Sequence, residues 1–250
     1  MRKILLWIAA LVMAPNLIFA QQGQPPQTQP YQPAQVVQPA AAAPKPEFPF
    51  QFGIKIAPNL GWMKPTADEY SSEGARAGFT FGLIGDYNFT DNYAITFGIN
   101  SVSTGGKLLV NKDVDSVATD VTTTYKLRYF EIPVMLKMRT NDINGIQYYV
   151  QVGLGTNFLY RTHGEEEYND ITQSVDISEE VNFMKETFLL GVGMQTKISG
   201  NTKFVGGLMF SNGFTDILSG KDEVTTNGST KDFNASAINN YLELSLGILF

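Results

Sequence analysis

Phe130-Glu131-Ile132-Pro133-Val134-Met135-Leu136-Lys137-Met138 sets Phe130, Ile132, Val134, Leu136 and Met138 on one parity and Glu131, Pro133 and Lys137 on the other. Successive side chains of a strand point to opposite faces, so one face of this segment is wholly apolar and the other carries opposite charges. The same alternation recurs on both sides of it. Phe50, Phe52, Ile54 and Ile56 oppose Gln51, Gly53, Lys55 and Ala57; Phe79, Phe81, Leu83, Tyr87 and Phe89 oppose Thr80, Gly82, Ile84, Asp86 and Asn88; Tyr93, Ile95, Phe97 and Ile99 oppose Ala94, Thr96, Gly98 and Asn100. Downstream, Tyr148 to Leu154, Phe188 to Ile198, Phe204 to Phe210 and Leu242 to Phe250 repeat it. Each stretch has about the 9–11 residues that a tilted membrane strand needs.

The connections between the stretches alternate in length. Those near 90–92, 139–146 and 199–202 are short; those near 63–77, 104–122, 162–184 and 213–238 are long and polar. Seven connections join eight strands, and tight turns at one end with long loops at the other is the pattern of an outer-membrane barrel. The expected fold is all-β: an eight-stranded antiparallel transmembrane β-barrel, an up-and-down meander over residues 49–250 with both termini periplasmic. Phe89 and Tyr93 at one end and Trp62, Phe79 and Phe158 at the other are placed for interfacial belts.

A soluble lipocalin-like barrel would alternate too, with its apolar parity inward. The glycines decide against it. Gly53, Gly61, Gly82, Gly98, Gly153, Gly155, Gly191, Gly193, Gly207 and Gly247 share the polar parity, where they suit a crowded lumen better than a solvated face. The apolar parity carries no charge at mid-strand, and Arg128 and Glu186 break it only at the outer rim. An eight-stranded barrel is just wide enough for its own side chains, so Lys55, Asp86, Glu131, Lys137, Lys197 and Glu243 are expected to form a polar network in a filled lumen. Closure makes the first and last strands neighbours and brings Lys55 within reach of Glu243. A narrow ion path or proton relay along the same groups is the alternative.

Ahead of the barrel, Arg2 and Lys3 precede an apolar run from Ile4 to Ala14, and Ile18-Phe19-Ala20 stands before an abrupt polar stretch. Residues 1–20 therefore read as a signal peptide. Residues 21–48, with eight glutamines and seven prolines, cannot bury enough apolar surface to offset their ordering entropy. They are expected to be a disordered periplasmic arm, a tether or a docking segment for an envelope protein. The chain has no cysteine, which excludes disulfides, thiol chemistry and lipid attachment at a cysteine. Its formal charge of −6, or −8 once Arg2 and Lys3 are removed, comes without a basic stripe and argues against nucleic acid.

Catalytic candidates are few. His163, the single histidine, stands beside Glu165, Glu166 and Glu167 in a long loop, where an imidazole with a carboxylate or serine is conceivable and a solvated histidine is the plainer reading. The acidic loop 162–184 invites a divalent cation but lacks EF-hand spacing. Gly-x-Gly at 153–155 and 191–193 lies inside strands, with no helix N-terminus to receive a phosphate. No cofactor, metal or catalytic residue is expected. The expected partners are outer-membrane lipids and, through the C-terminal strand ending in Phe250, the barrel-assembly machinery.

The run Leu127-Arg128-Tyr129-Phe130-Glu131-Ile132-Pro133-Val134-Met135-Leu136-Lys137 resembles the Tyr-Leu-Glu-Ile-Pro-x-x-Leu-Lys signature of the PorT-like outer-membrane β-barrel family. Val152 to Gly155 and Leu244 to Phe250 are similar to later strands of that family. The resemblance covers roughly residues 50–250. It implies an outer-membrane barrel, associates the chain with secretion across the outer membrane, and brings no catalytic residues. Pro133 cannot donate to a ladder, so it is expected to mark a bulge or weakened pairing, with Glu131 fixed in the lumen.

Overall fold

Alternating stretches too short to bury themselves must pair, and in a computed structural model they do. The structure describes residues 49–250 apart from 115–116, 170, 219–220 and 227–228. The signal peptide and arm assigned to 1–20 and 21–48 lie outside the described residues. The described residues form eleven strands: β1 (Phe50–Pro65), β2 (Tyr70–Asn88), β3 (Tyr93–Val114), β4 (Val117–Arg139), β5 (Ile146–Tyr168), β6 (Ile171–Val175), β7 (Met184–Ser199), β8 (Thr202–Gly213), β9 (Lys221–Thr226), β10 (Ser229–Asn234) and β11 (Ala237–Leu249). All described pairings are antiparallel, and β1-β2-β3-β4-β5-β7-β8-β11 return to β1 as a ring of eight. The ring closes by pairing Gly53 with Leu249 through to Pro65 with Ala237. Phe250 donates its amide to the carbonyl of Phe52 at 2.8 Å, so the seam leaves no free edge.

The short connections fall where alternation lapses, at 89–92, 140–145 and 200–201. The long ones differ from expectation. The described residues of 104–122 are strand, with β3 and β4 paired from Thr104–Leu127 to Val114–Val117, and 63–77 holds only a four-residue turn at 66–69. Loop 162–184 extends β5 to Tyr168 and returns as β6, while 213–238 carries the β9–β10 hairpin. Strand pairing persists beyond the membrane because these segments have a core of their own. Met63, Leu108, Val110, Val121, Tyr125, Leu127 and Tyr129 point inward and meet Ile177, Val181, Ile217 and Leu218 from the returning loops. An apolar cap thus closes the barrel at what we call the hairpin end.

Pro133 behaves as its missing donor requires. Pairing of β4 with β3 lapses between Val134 and Glu131 without a change of register, and pairing with β5 runs straight through it. No bulge forms there. The bulge on β4–β5 lies at Arg128/Tyr129.

The outer wall is apolar and exposed from end to end. Phe52, Ile54, Leu83, Val134, Leu154, Val192 and Leu244 all face outward, Leu83 with 62% of its surface free. Aromatic rings border this band. Phe50 packs on Tyr87 at 4.7 Å and Phe89 on Tyr93 at 6.2 Å at the short-turn end; Phe130 stacks on Tyr160 at 4.4 Å and Trp62 on Phe210 at 6.1 Å at the hairpin end. A soluble protein does not expose such a continuous apolar surface, whereas lipid requires one with interfacial aromatics. Leu83 lies midway between Phe79 and Tyr87. We expect Leu83→Arg to cost about 2–4 kcal/mol in urea unfolding from lipid vesicles, against close to zero for an arginine at the girdle. A neutral Leu83→Arg would mean that this face is not in lipid.

Candidate functional site

Inward parity brings the polar residues of all eight ring strands into one bore. From β1, Lys55 donates to Glu243 of β11, Nζ to Oε1 at 2.7 Å, with side chains 8% and 1% exposed. The two are not direct cross-strand partners, because Lys55 pairs with Gly247 and Glu243 with Asn59. The lysine reaches four residues along the tilted neighbouring strand. From β4, Lys137 donates to both oxygens of Asp86 on β2, at 2.9 and 2.6 Å, and Thr96 adds a 2.6 Å hydrogen bond. Glu131 accepts from the Tyr241 hydroxyl at 2.6 Å and from Asn100 at 3.0 Å. Five of the six residues singled out by parity are thus buried and partnered by side chains from other strands.

Lys197 is the exception. It has lumen parity but is exposed, opposite Lys203 and beside the register shift that ends β7. Parity fixes the face of a strand and not the depth, and at this depth the bore has already opened. The basic groups that fill the short-turn end are instead Arg139, which donates to Asn88 at 2.6 Å, and Lys203, which donates to Gln51 at 3.0 Å.

Lys185 joins the network without having been singled out by its sequence. It borders the long loop, and its parity with Thr187 and Leu189 is the only signal it carries. It is buried, donates to Asn239 Oδ1 at 2.9 Å, and lies over the Tyr129 ring at 4.3 Å and the Tyr241 ring at 5.8 Å. Between the charged layers, Met135, Leu189 and Met209 form one apolar layer, and Tyr149, Val205 and Leu249 another. Tyr149 fits only because Gly193 and Gly207 lie beneath it: a Cβ on either would come within 2.5 or 2.6 Å of its hydroxyl oxygen. Among the described residues Glu243 Oε2 has no hydrogen-bond partner, and Glu243 lines a cavity of about 30 Å³, large enough to hold water.

Chemistry at the hairpin end is equally readable. His163 Nε2 is 3.3 Å from Ser174 Oγ and 3.5 Å from Glu165 Oε1. One nitrogen faces both partners, so the arrangement is not a relay in which a carboxylate orients the imidazole through its other nitrogen. Three acidic residues of 162–184 go to separate partners. Glu165 pairs with Lys126, whose hydrogen bond holds its carboxyl below the usual range. Glu166 pairs with Lys112 at 3.0 Å, and Asp176 accepts from the Ser178 hydroxyl and amide, which lowers its carboxyl likewise. Among the described residues no three His, Asp or Glu side chains converge to hold a metal ion.

A closed ring of eight antiparallel strands, apolar outside and polar within, has counterparts among known proteins. Residues 19–219 match the model of the outer membrane protein beta-barrel domain family. The chain belongs to this family. Its apolar exterior is therefore the lipid-facing wall of an outer-membrane β-barrel. Among solved structures it is similar to Neisserial surface protein A, with 12% identity over 81% of this chain and 96% of that chain and a TM-score of 0.42. It is also similar to Ail, the attachment invasion locus protein of Yersinia pestis, with 15% identity over 81% of this chain and 100% of that chain at 0.38. OprG of Pseudomonas aeruginosa gives 12% identity over 79% and 96% at 0.36. No curated protein matches the chain.

Proposed function

We propose that this family member is a non-enzymatic barrel with a closed lumen, and that it acts through its surfaces as a structural or interaction component of the envelope. The observation that carries the reading is the filling of the bore. Two buried ion pairs, the Tyr241–Glu131 bond, the Lys185 cage and the apolar layers occupy it in succession, and the apolar cap covers the hairpin end. Ion conduction needs a continuous wet path, and this filling of an eight-stranded barrel supports a lumen without one. The resemblance of the Glu131-Ile132-Pro133 segment to PorT-like barrels makes a secretion complex the envelope assembly of choice. In that arrangement residues 1–20 direct export, both termini are periplasmic, 21–48 is the arm that takes a partner, and the strand ending in Phe250 is read by the assembly machinery.

Two measurements test it. In planar bilayers the full-length protein is expected to give no discrete conductance steps, and reproducible unitary steps would replace the closed lumen with a channel. Extraction from native outer membranes in mild detergent is expected to co-purify near-stoichiometric envelope partners, lost on deletion of 21–48. A lone monomer would sink the interaction reading.

A further inference from the structure

Basic side chains gather on the outer wall just beyond the aromatic girdle of the hairpin end. They are Lys126 and Arg128 of β4 and Arg161 and His163 of β5, and together with Arg76 of β2, which pairs with Gly61, they line one open cavity of about 330 Å³. Arg128 and Arg161 are direct cross-strand partners, and Lys126 and His163 are the next pair on the same face.

The bulge builds this patch. Below it Tyr129 pairs with Leu159; above it Arg128 pairs with Arg161, which leaves Tyr160 as the additional residue. Without that residue Arg161 would keep the lumen parity of Asn157 and Leu159. With it, Tyr160 and Arg161 face outward in succession, the re-aiming of a side chain for which bulges are used. Tyr160 stacks on Phe130 at 4.4 Å and its hydroxyl lies 2.9 Å from Ser101 Oγ. An aromatic pair at girdle height therefore carries two guanidiniums immediately above it.

Opposed like charges destabilise a strand pair, and the usual remedy is a carboxylate. Here Glu165 goes to Lys126, and Arg76 donates to the Thr104 carbonyl at 3.1 Å. Among the described residues no ion pair involves Arg128 or Arg161. In a chain of net charge −6 this local excess of positive charge calls for an external anion. The wall below it is apolar and faces lipid.

We propose that the patch is a binding site for the phosphomonoester headgroup of an anionic membrane lipid, with Arg128 and Arg161 as the phosphate clamp and Phe130 and Tyr160 against the acyl chains beneath. Paired guanidiniums give bidentate recognition of phosphate oxygens, and basic side chains at this depth draw anionic lipid electrostatically.

The test uses the full-length protein folded in detergent, its fold verified by heat-dependent electrophoretic mobility. Native mass spectrometry reads retention of phosphatidic acid, of phosphatidylcholine with the same acyl chains, and of inorganic phosphate. The wild type should retain phosphatidic acid over phosphatidylcholine, and R128Q/R161Q should bind it about tenfold or more weakly, two charge-assisted contacts being lost. R128K/R161K should recover part of the loss, and Lys112→Gln, outside the patch, should leave binding unchanged. Equal retention by folded R128Q/R161Q, or no preference between the two lipids in the wild type, would overturn the proposal. Full displacement of lipid by equimolar inorganic phosphate would overturn the lipid as its source.

Discussion

Gly53→Val is expected to abolish folding of the barrel, leaving only the heat-insensitive, unfolded band on electrophoresis after refolding into lipid vesicles. Gly53 faces the lumen in β1 and pairs with Leu249 of β11 on one side and Ile84 of β2 on the other. A Cβ at this position would collide with the carbonyl oxygen of Ile248 and stand 2.9 Å from the Cα of Leu249. Both are backbone atoms of the strand that closes the ring. Overpacking costs about 1–3 kcal/mol where side chains can move aside, and here none can, so the neighbouring strand itself must shift. A displaced seam leaves two free edges in hydrocarbon, where every unpaired amide and carbonyl is costly. Gly206→Ala is the contrast. Nothing lies closer than 3.6 Å to a Cβ there, and its stability should stay within about 1 kcal/mol of the wild type. Equal folding of Gly53→Val and the wild type would show that ring closure does not depend on a bare backbone at this position.

The seam also separates what the chain discloses by itself from what only pairing discloses. Lipid outside and side chains inside impose one rule on every residue between the girdles, so parity alone places the eight ring strands, and their closure alone brings Lys55 to Glu243. Beyond the girdles the rule changes. Water receives the outward face there, polar residues such as Asn111 and Asp120 become admissible in strands, and the β3–β4 hairpin passes for a loop although Leu108, Val110, Val121, Tyr125 and Leu127 alternate through it. Depth escapes for a related reason: Lys197 and Lys185 have equivalent parity, but one lies past the short-turn rim and the other under the cap. The bulge at Arg128/Tyr129 has no local mark such as a glycine, so the outward turn of Arg161 appears only when β4 and β5 are paired.

Lys55→Met is expected to destabilise the barrel by about 3–5 kcal/mol, because it leaves the Glu243 carboxylate buried without its ion-pair partner. Glu243→Met should cost a similar amount by leaving the ammonium of Lys55 unpaired. The double variant should recover most or all of the loss, since apolar groups of like volume commonly replace a buried pair at no cost or with a gain of about 1–4 kcal/mol. Urea unfolding in lipid vesicles, analysed as a double-mutant cycle, reads the coupling directly. A coupling below about 1 kcal/mol would place the pair in the class of solvated surface bridges and contradict its burial. If the double variant is as stable as the wild type, stability is not what the charges supply. They join β1 to β11, the pairing that fixes closure, and a two-residue slip of either strand would keep every apolar side chain on the lipid face while separating Lys55 from Glu243. The charges would then select one register among those that hydrophobicity alone permits. In that case the double variant should refold to the same stability with lower yield or more heterogeneous mobility, and a homogeneous product at wild-type yield would remove this role.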